Sequence, residues 1–258
     1  MFRLENLKII TTRVHESNLP FCELQETILI KGTNRMNQQL LPFVEVSPSA
    51  SPNACVIWLH GLGDSGHGFA PIVPELKLPA SMAVKFIFPH APERPITINN
   101  GMRMRAWYDI KSLDFKSRAD LGGVQESSAQ VEQLIKTQIE SGIPANRIVL
   151  AGFSQGGVIA LHLAPRFGQK LAGVLALSTY MCEPDLLAKD AIDINRDTPI
   201  MMAHGEEDEV VPVFMGNAAY NALKENNFNA TWQTYTMQHN VCMQELTDIG
   251  VWLKKVLD

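Results

Sequence analysis

The sequence predicts an α/β fold, a mostly parallel central sheet with helices on both faces. Three observations predict it. Short continuous apolar runs rich in strand formers recur from about residue 40 onward. Segments with apolar residues three and four apart separate those runs. The length of 258 residues suits an open α/β sheet built as one large domain. Strands covered on both faces read as unbroken apolar runs, and intervening helices impose right-handed crossovers between parallel neighbours.

Taken in order, LKIITTRV and ETILIKG lie within the first 35 residues and have strand character. ACVIWLH at 54–60, VKFIFPH at 84–90, RIVLAGF at 147–153, LAGVLALS at 171–178 and TPIMMAHG at 198–205 read as buried parallel strands. ATWQTYTM at 230–237 alternates more and ends just before another helix-like stretch. A helix is predicted over 124–139, with Val124, Val131, Leu134, Ile135 and Ile139 on one face and Ser141-Gly142 ending it. Another spans 213–226, with Pro212 at its first position. The last runs over 241–257, with Asn240 as its cap. Residues 91–123 are long, turn-rich and irregular, the kind of loop that carries function more often than not.

Composition narrows the functional classes. Apolar residues make up 46% and charged residues 19%, and the net charge is −5 with no basic block. Duplex binding needs clustered Lys and Arg, so nucleic acid is not an expected partner. Cys22, Cys55, Cys182 and Cys242 form no CxxC pair, which argues against a zinc site or a disulfide framework. No signal-peptide pattern opens the chain, and no apolar run reaches the roughly 18 residues of a membrane span. A cytoplasmic protein without stable membrane insertion is expected.

Gly152-Phe153-Ser154-Gln155-Gly156 sits between a strand-like run and the helix-like GVIALHLA. In that context GxSxG marks a tight turn that lifts a nucleophilic serine above the sheet. Ser154 then needs a general base held by a carboxylate, and in this architecture the chain order is Ser, acid, His. Of seven histidines only His204 and His239 lie far enough past Ser154, and only His239 leaves room for an acid at a strand end between. Asp208 follows the strand PIMMAHG directly, with Glu206 and Glu207 as near rivals. His60-Gly61-Leu62-Gly63 follows the first clear strand and is placed to supply one oxyanion donor. The backbone N–H groups of Leu62 and Gln155 are therefore the candidates. His60, Asp64 and His67 are not read as metal ligands, because a loop given to the oxyanion cannot readily fold around zinc.

WLHGLGDSGHGF, ITINNGMRMRAWYDI, AGFSQGG, HGEEDEVVP and YTMQHNVCMQE together resemble the phospholipase/carboxylesterase family, which includes bacterial carboxylesterases and acyl-protein thioesterases. The matching blocks run in order from about Leu40 to the C-terminus. The resemblance implies an α/β-hydrolase fold, a Ser154–Asp208–His239 triad, and hole donors at Leu62 and Gln155. It further implies that 91–123 shapes an acyl pocket lined by Met102, Met104 and Trp107. It is also compatible with a homodimer. The function implied is a cofactor-free serine carboxylesterase for short- to medium-chain esters. The alternatives are an acyl-protein thioesterase or lysophospholipase and, from another class, a non-catalytic binding protein on the same fold. A dienelactone-hydrolase-like enzyme is disfavoured by serine at the nucleophile position.

Two departures carry expectations of their own. Gln238 and Asn240 flank His239 where the family usually has Gly and Ser. A backbone needing positive φ at 238 would be strained by glutamine and would shift the histidine loop. Residues 1–35 have no counterpart in the resemblance, and Met36 opens a stretch that reads as a family N-terminus. The chain is thus expected to divide into a dispensable extension, 1–35, read from upstream of the natural start, and a catalytic domain, 36–258.

Overall fold

The computed structural model describes residues 40–112 and 118–258, together with the backbone of Thr11–Thr12 and Leu24–Thr27. Strands β1 (Thr11–Thr12), β2 (Leu24–Thr27) and β3 (Phe43–Val46) form an antiparallel flank. Next come β4 (Ala54–Leu59) and β5 (Val84–Pro89), then a separate hairpin of β6 (Glu93–Ile96) and β7 (Met102–Arg105). The remaining strands are β8 (Ile148–Phe153), β9 (Gly173–Leu177), β10 (Ile200–Gly205) and β11 (Ala230–Tyr235). The main sheet runs β1-β2-β3-β5-β4-β8-β9-β10-β11, and every pair from β5 to β11 is parallel. Six predicted strands are found within two residues of their expected ends. The extension expected at 1–35 lies largely outside the described residues; its described part pairs β2 with β3, Leu24 opposite Val46.

The helices are α1 (Gly66–Phe69), α2 (Leu121–Glu140), α3 (Gln155–Leu163), α4 (Leu187–Asp190), α5 (Val213–Glu225) and α6 (Met243–Val256). The pleat of β4 shows how they are shared between faces. Ile57 and Leu59 join a core with Val131 and Leu134 of α2, Val158 of α3 and Ala219 of α5. Val56 and Trp58 point the other way, into a core with Leu246, Ile249 and Leu253 of α6. Successive strand residues face opposite sides, so one apolar run feeds two layers.

Three local expectations differ from what is found. Helix α2 starts at Leu121, because the Asp120 carboxylate accepts the Gly123 N–H at 3.2 Å and caps it there. Pro212 is the N-cap of α5 rather than its first residue. Asn240 does not cap α6: Cys242 stands at the N-cap position without a side-chain cap bond, and the Asn240 side chain instead accepts the Val241 N–H at 2.8 Å.

One buried group on α6 gives a stability prediction. Glu245 is completely buried, and burial pushes its carboxyl up to about 8, with the Cys242 N–H opposing and Asp248 adding to the shift. A raised carboxyl contributes fully to stability below the ordinary carboxylate range. That contribution is lost as pH climbs through the folded value, because the unfolded chain then binds fewer protons. Glu245→Gln should therefore flatten the decline in Tm between about pH 5 and about pH 8. Equal slopes in wild type and variant would show that Glu245 does not titrate across that range.

Candidate active site

Six parallel strands end at one edge of the sheet, where ligands bind in open α/β folds. Ser154 follows β8 with φ 53 and ψ −118, a left-handed conformation that costs about 1–3 kcal/mol for a non-glycine residue. Two glycines make the turn sterically feasible. A Cβ on Gly152 would strike the Gly156 carbonyl, and one on Gly156 would lie 2.5 Å from the Leu59 carbonyl oxygen. The result is a serine held rigidly at the N-terminus of α3.

The loops after β10 and β11 bring the other two predicted residues to it. His239 Nε2 lies 2.9 Å from Ser154 Oγ, and His239 Nδ1 lies 2.7 Å from Asp208 Oδ2. Asp208 is buried, and its Oδ1 accepts the N–H groups of Val210 at 2.9 Å and Val211 at 2.8 Å. With the proton on Nδ1 donated to this carboxylate, Nε2 is left free to accept from the serine hydroxyl. The Phe153 ring packs against the imidazole, centroids 4.8 Å apart. Glu206 and Glu207, the rival acids, are exposed, and Glu206 instead accepts from the Thr234 hydroxyl.

Leu62 and Gln155 bring their N–H groups to the same edge, and neither meets a protein acceptor among the described residues. The loop carrying Leu62 is braced on both sides. Gly63 N–H donates to the Arg105 carbonyl at 2.9 Å. The buried His60 ring donates from Nδ1 to the Gly61 carbonyl at 2.7 Å and accepts the Ala91 N–H at Nε2, 3.0 Å. Burial lowers the pKa of His60, so it works as a neutral brace.

The three residues expected to line an acyl pocket are placed differently from one another. Met102 lies on the β6–β7 hairpin with 64% exposure. Met104 is partly buried, its sulfur beside Gly63. Trp107 has no exposed surface, so an acyl chain could touch it only if its neighbours moved.

The strain expected at Gln238 is not found: Gln238 is not among the residues with positive φ. The close approach there is taken up by Gly205, where a Cβ would collide with the carbonyls of Met237 and Gln238. Glutamine is tolerated because the neighbouring strand end, not position 238, is the one that must be small.

The sequence analysis set His204 aside as the base and gave it no other role; it is buried behind Asp208. Its Nε2 donates to the Val211 carbonyl at 2.7 Å and stands 3.5 Å from Asp208 Oδ2. Burial lowers its pKa, so it holds the acid loop without competing for the charge. It reads as one more apolar-strand position in the sequence, with no signal beyond its neighbour Gly205. Missed outright was an apolar groove of about 650 Å³ between the residues after β9 and the start of α5, lined by Tyr180, Met181, Pro184, Phe214 and Met215. Among the described residues no cluster of His, Cys, Asp or Glu is arranged to hold a metal, and no helix is long and apolar enough to cross a membrane.

The phospholipase/carboxylesterase family model matches residues 42–257. The chain belongs to that family. As a phospholipase/carboxylesterase member it is 42% identical over 227 residues to acyl-protein thioesterase 1 of Neurospora crassa, covering 84% of this chain and 92% of that protein. It is 39% identical over 219 residues to acyl-protein thioesterase 1 of Yarrowia lipolytica, covering 83% and 96%. Among solved structures it resembles Arabidopsis thaliana SOBER1, with TM-score 0.75 and 32% identity over 80% of this chain and 99% of that one. Zea mays acyl-protein thioesterase 2 gives TM-score 0.74 and 28% identity over 83% and 98%. Family membership makes the chain a hydrolase of ester or thioester bonds on the α/β-hydrolase fold.

Proposed function

We propose that this chain is a serine acyl hydrolase that cleaves acyl thioesters and esters through an acyl-enzyme on Ser154. The observation that carries this reading is the hydrogen-bonded chain Ser154–His239–Asp208 at the N-terminus of α3. Ser154 Oγ attacks the acyl carbon while His239 Nε2 takes its proton, and Asp208 stabilises the imidazolium. The carbonyl oxygen, now negative, is received by the N–H groups of Leu62 and Gln155. His239 returns the proton to the departing thiol or alcohol, which leaves toward the open hollow formed by Gln238, His239 and Asn240. Water then repeats the sequence and releases the acid.

The acyl arm is assigned to the apolar groove beside Tyr180 and Phe214. Its volume lies in the range of ligand sites, and burying methylenes there is worth about 0.8 kcal/mol each. The groove and the thioesterase names of the relatives support ranking thioesters with medium to long acyl chains ahead of small esters. Hydrolysis of p-nitrophenyl esters from acetyl to palmitoyl, beside an S-acylated peptide, tests this. The expected profile rises to medium or long chains with turnover of the thioester. It is expected to be unchanged in a chain begun at Met36, since residues 1–35 are proposed to be dispensable. A peak at acetyl without thioester turnover would restore the small-ester carboxylesterase. Failure to react with a fluorophosphonate would favour a non-catalytic protein.

A further inference from the structure

An oxyanion hole works only if both donors lie about 2.7–3.1 Å from one point, the position of the developing charge. Here the two proposed donors belong to different elements, Leu62 to the loop after β4 and Gln155 to the first residue of α3. Something must set their separation.

Trp107 bridges them through two hydrogen bonds, and its neighbour Tyr108 adds a third. The Gln155 side chain clamps one stretch of backbone on both sides: its Oε1 accepts the Trp107 N–H at 2.8 Å, and its Nε2 donates to the Tyr108 carbonyl at 2.7 Å. The two partners fix the orientation of the amide, since a carbonyl cannot donate and an N–H cannot accept. From the residue so clamped, the indole Nε1–H donates to the His60 carbonyl at 2.8 Å. That carbonyl lies two residues before Leu62, in the loop already held by the His60 ring and by Arg105. The Ser127 hydroxyl on α2 donates to the Trp107 carbonyl and anchors the bridge from behind. All of Trp107, Gln155 and His60 are buried, so water does not substitute readily for a lost partner.

Resting on the acyl-enzyme reading above, we propose that Trp107 and the Gln155 side chain are positioning residues that hold the Leu62 and Gln155 N–H groups in register for the oxyanion. Trp107 would then act on the transition state without touching the acyl chain. The irregular 91–123 segment would serve rate as well as any role in acyl recognition.

The deciding variants are Trp107→Phe and replacement of Trp107 by 3-benzothienylalanine, which keeps the bicyclic ring and loses only the N–H. Each should lower kcat by about 10- to 100-fold, the scale of a small misplacement at a reacting centre, with KM within about twofold of wild type. Affinity for an alkyl trifluoromethyl ketone, whose adduct carries the oxyanion, should fall by the same factor at every chain length. Wild type must form that adduct and Ser154→Ala must not; otherwise the acyl-enzyme reading itself fails. If wild type forms it and the benzothienyl variant keeps wild-type kcat and inhibitor affinity, the positioning role is overturned. A loss carried by KM and graded by chain length would likewise overturn it, making Trp107 a pocket wall. Should Trp107→Phe not fold, the isosteric variant decides alone.

Discussion

Ser154→Ala is expected to lower kcat for ester and thioester substrates by about a million-fold, the cost of removing the nucleophile from a working triad. The same change should leave the fold intact. The hydroxyl has one hydrogen-bond partner among the described residues, His239 Nε2, and takes no part in capping α3. Alanine inherits the left-handed φ of 53 with the same Cβ, so the strain of the turn is neither added nor relieved. Residual hydrolysis should still exceed that in water, because the proposed oxyanion hole and acyl groove would act without the nucleophile. Steady-state kinetics, thermal melting and fluorophosphonate labelling on the two proteins provide the check. Activity within tenfold of wild type would mean another group attacks, and the assignments of His239 and Asp208 would fall with it.

The parts of this molecule that were legible beforehand are those whose physics is local. Strands such as 54–60 and 147–153 announce themselves because both faces are buried, leaving no polar position to interrupt the run. The nucleophile turn is legible because steric crowding at Gly152 and Gly156 admits almost no alternative sequence. Chain order then singles out His239. What escaped depends on contacts between distant segments. The β6–β7 hairpin is written as ERPI and MRMR, runs of only four residues, and the proline in the first argues against a strand there. Trp107 was read as pocket lining because a large aromatic in a loop suits a ligand; its burial and its bond to His60, 47 residues away, become visible only once the chain is folded. At Gln238 the sequence signalled a departure from the family but could not show that Gly205 relieves the crowding.

The proposed acid of the triad offers the sharpest separation of structure from chemistry. Asp208→Asn keeps the size and shape of a fully buried side chain whose two oxygens do different work. Oδ1 accepts two backbone N–H groups, from Val210 and Val211, so in the variant the amide oxygen must take that place. The amide NH₂ is then turned toward His239 Nδ1, where the carboxylate oxygen used to accept. A donor there forces the imidazole into the opposite tautomer, with its proton on Nε2 facing Ser154, and the base can no longer receive the serine proton. The loss in kcat should be about 10⁴-fold, smaller than for Ser154→Ala because the nucleophile remains. It should also shrink as pH rises, since hydroxide-assisted attack bypasses the general base. Asp208→Ala would confuse the question by freeing the Val210 and Val211 N–H groups in a buried loop, at about 1–3 kcal/mol for each left unsatisfied. The isosteric variant avoids this, so a wild-type melting temperature with a 10⁴-fold slower enzyme is the expected pair of results. Full activity in Asp208→Asn would show that His239 is oriented by some other group. Among the buried neighbours that would single out His204, 3.5 Å from the same carboxylate oxygen, for the next substitution.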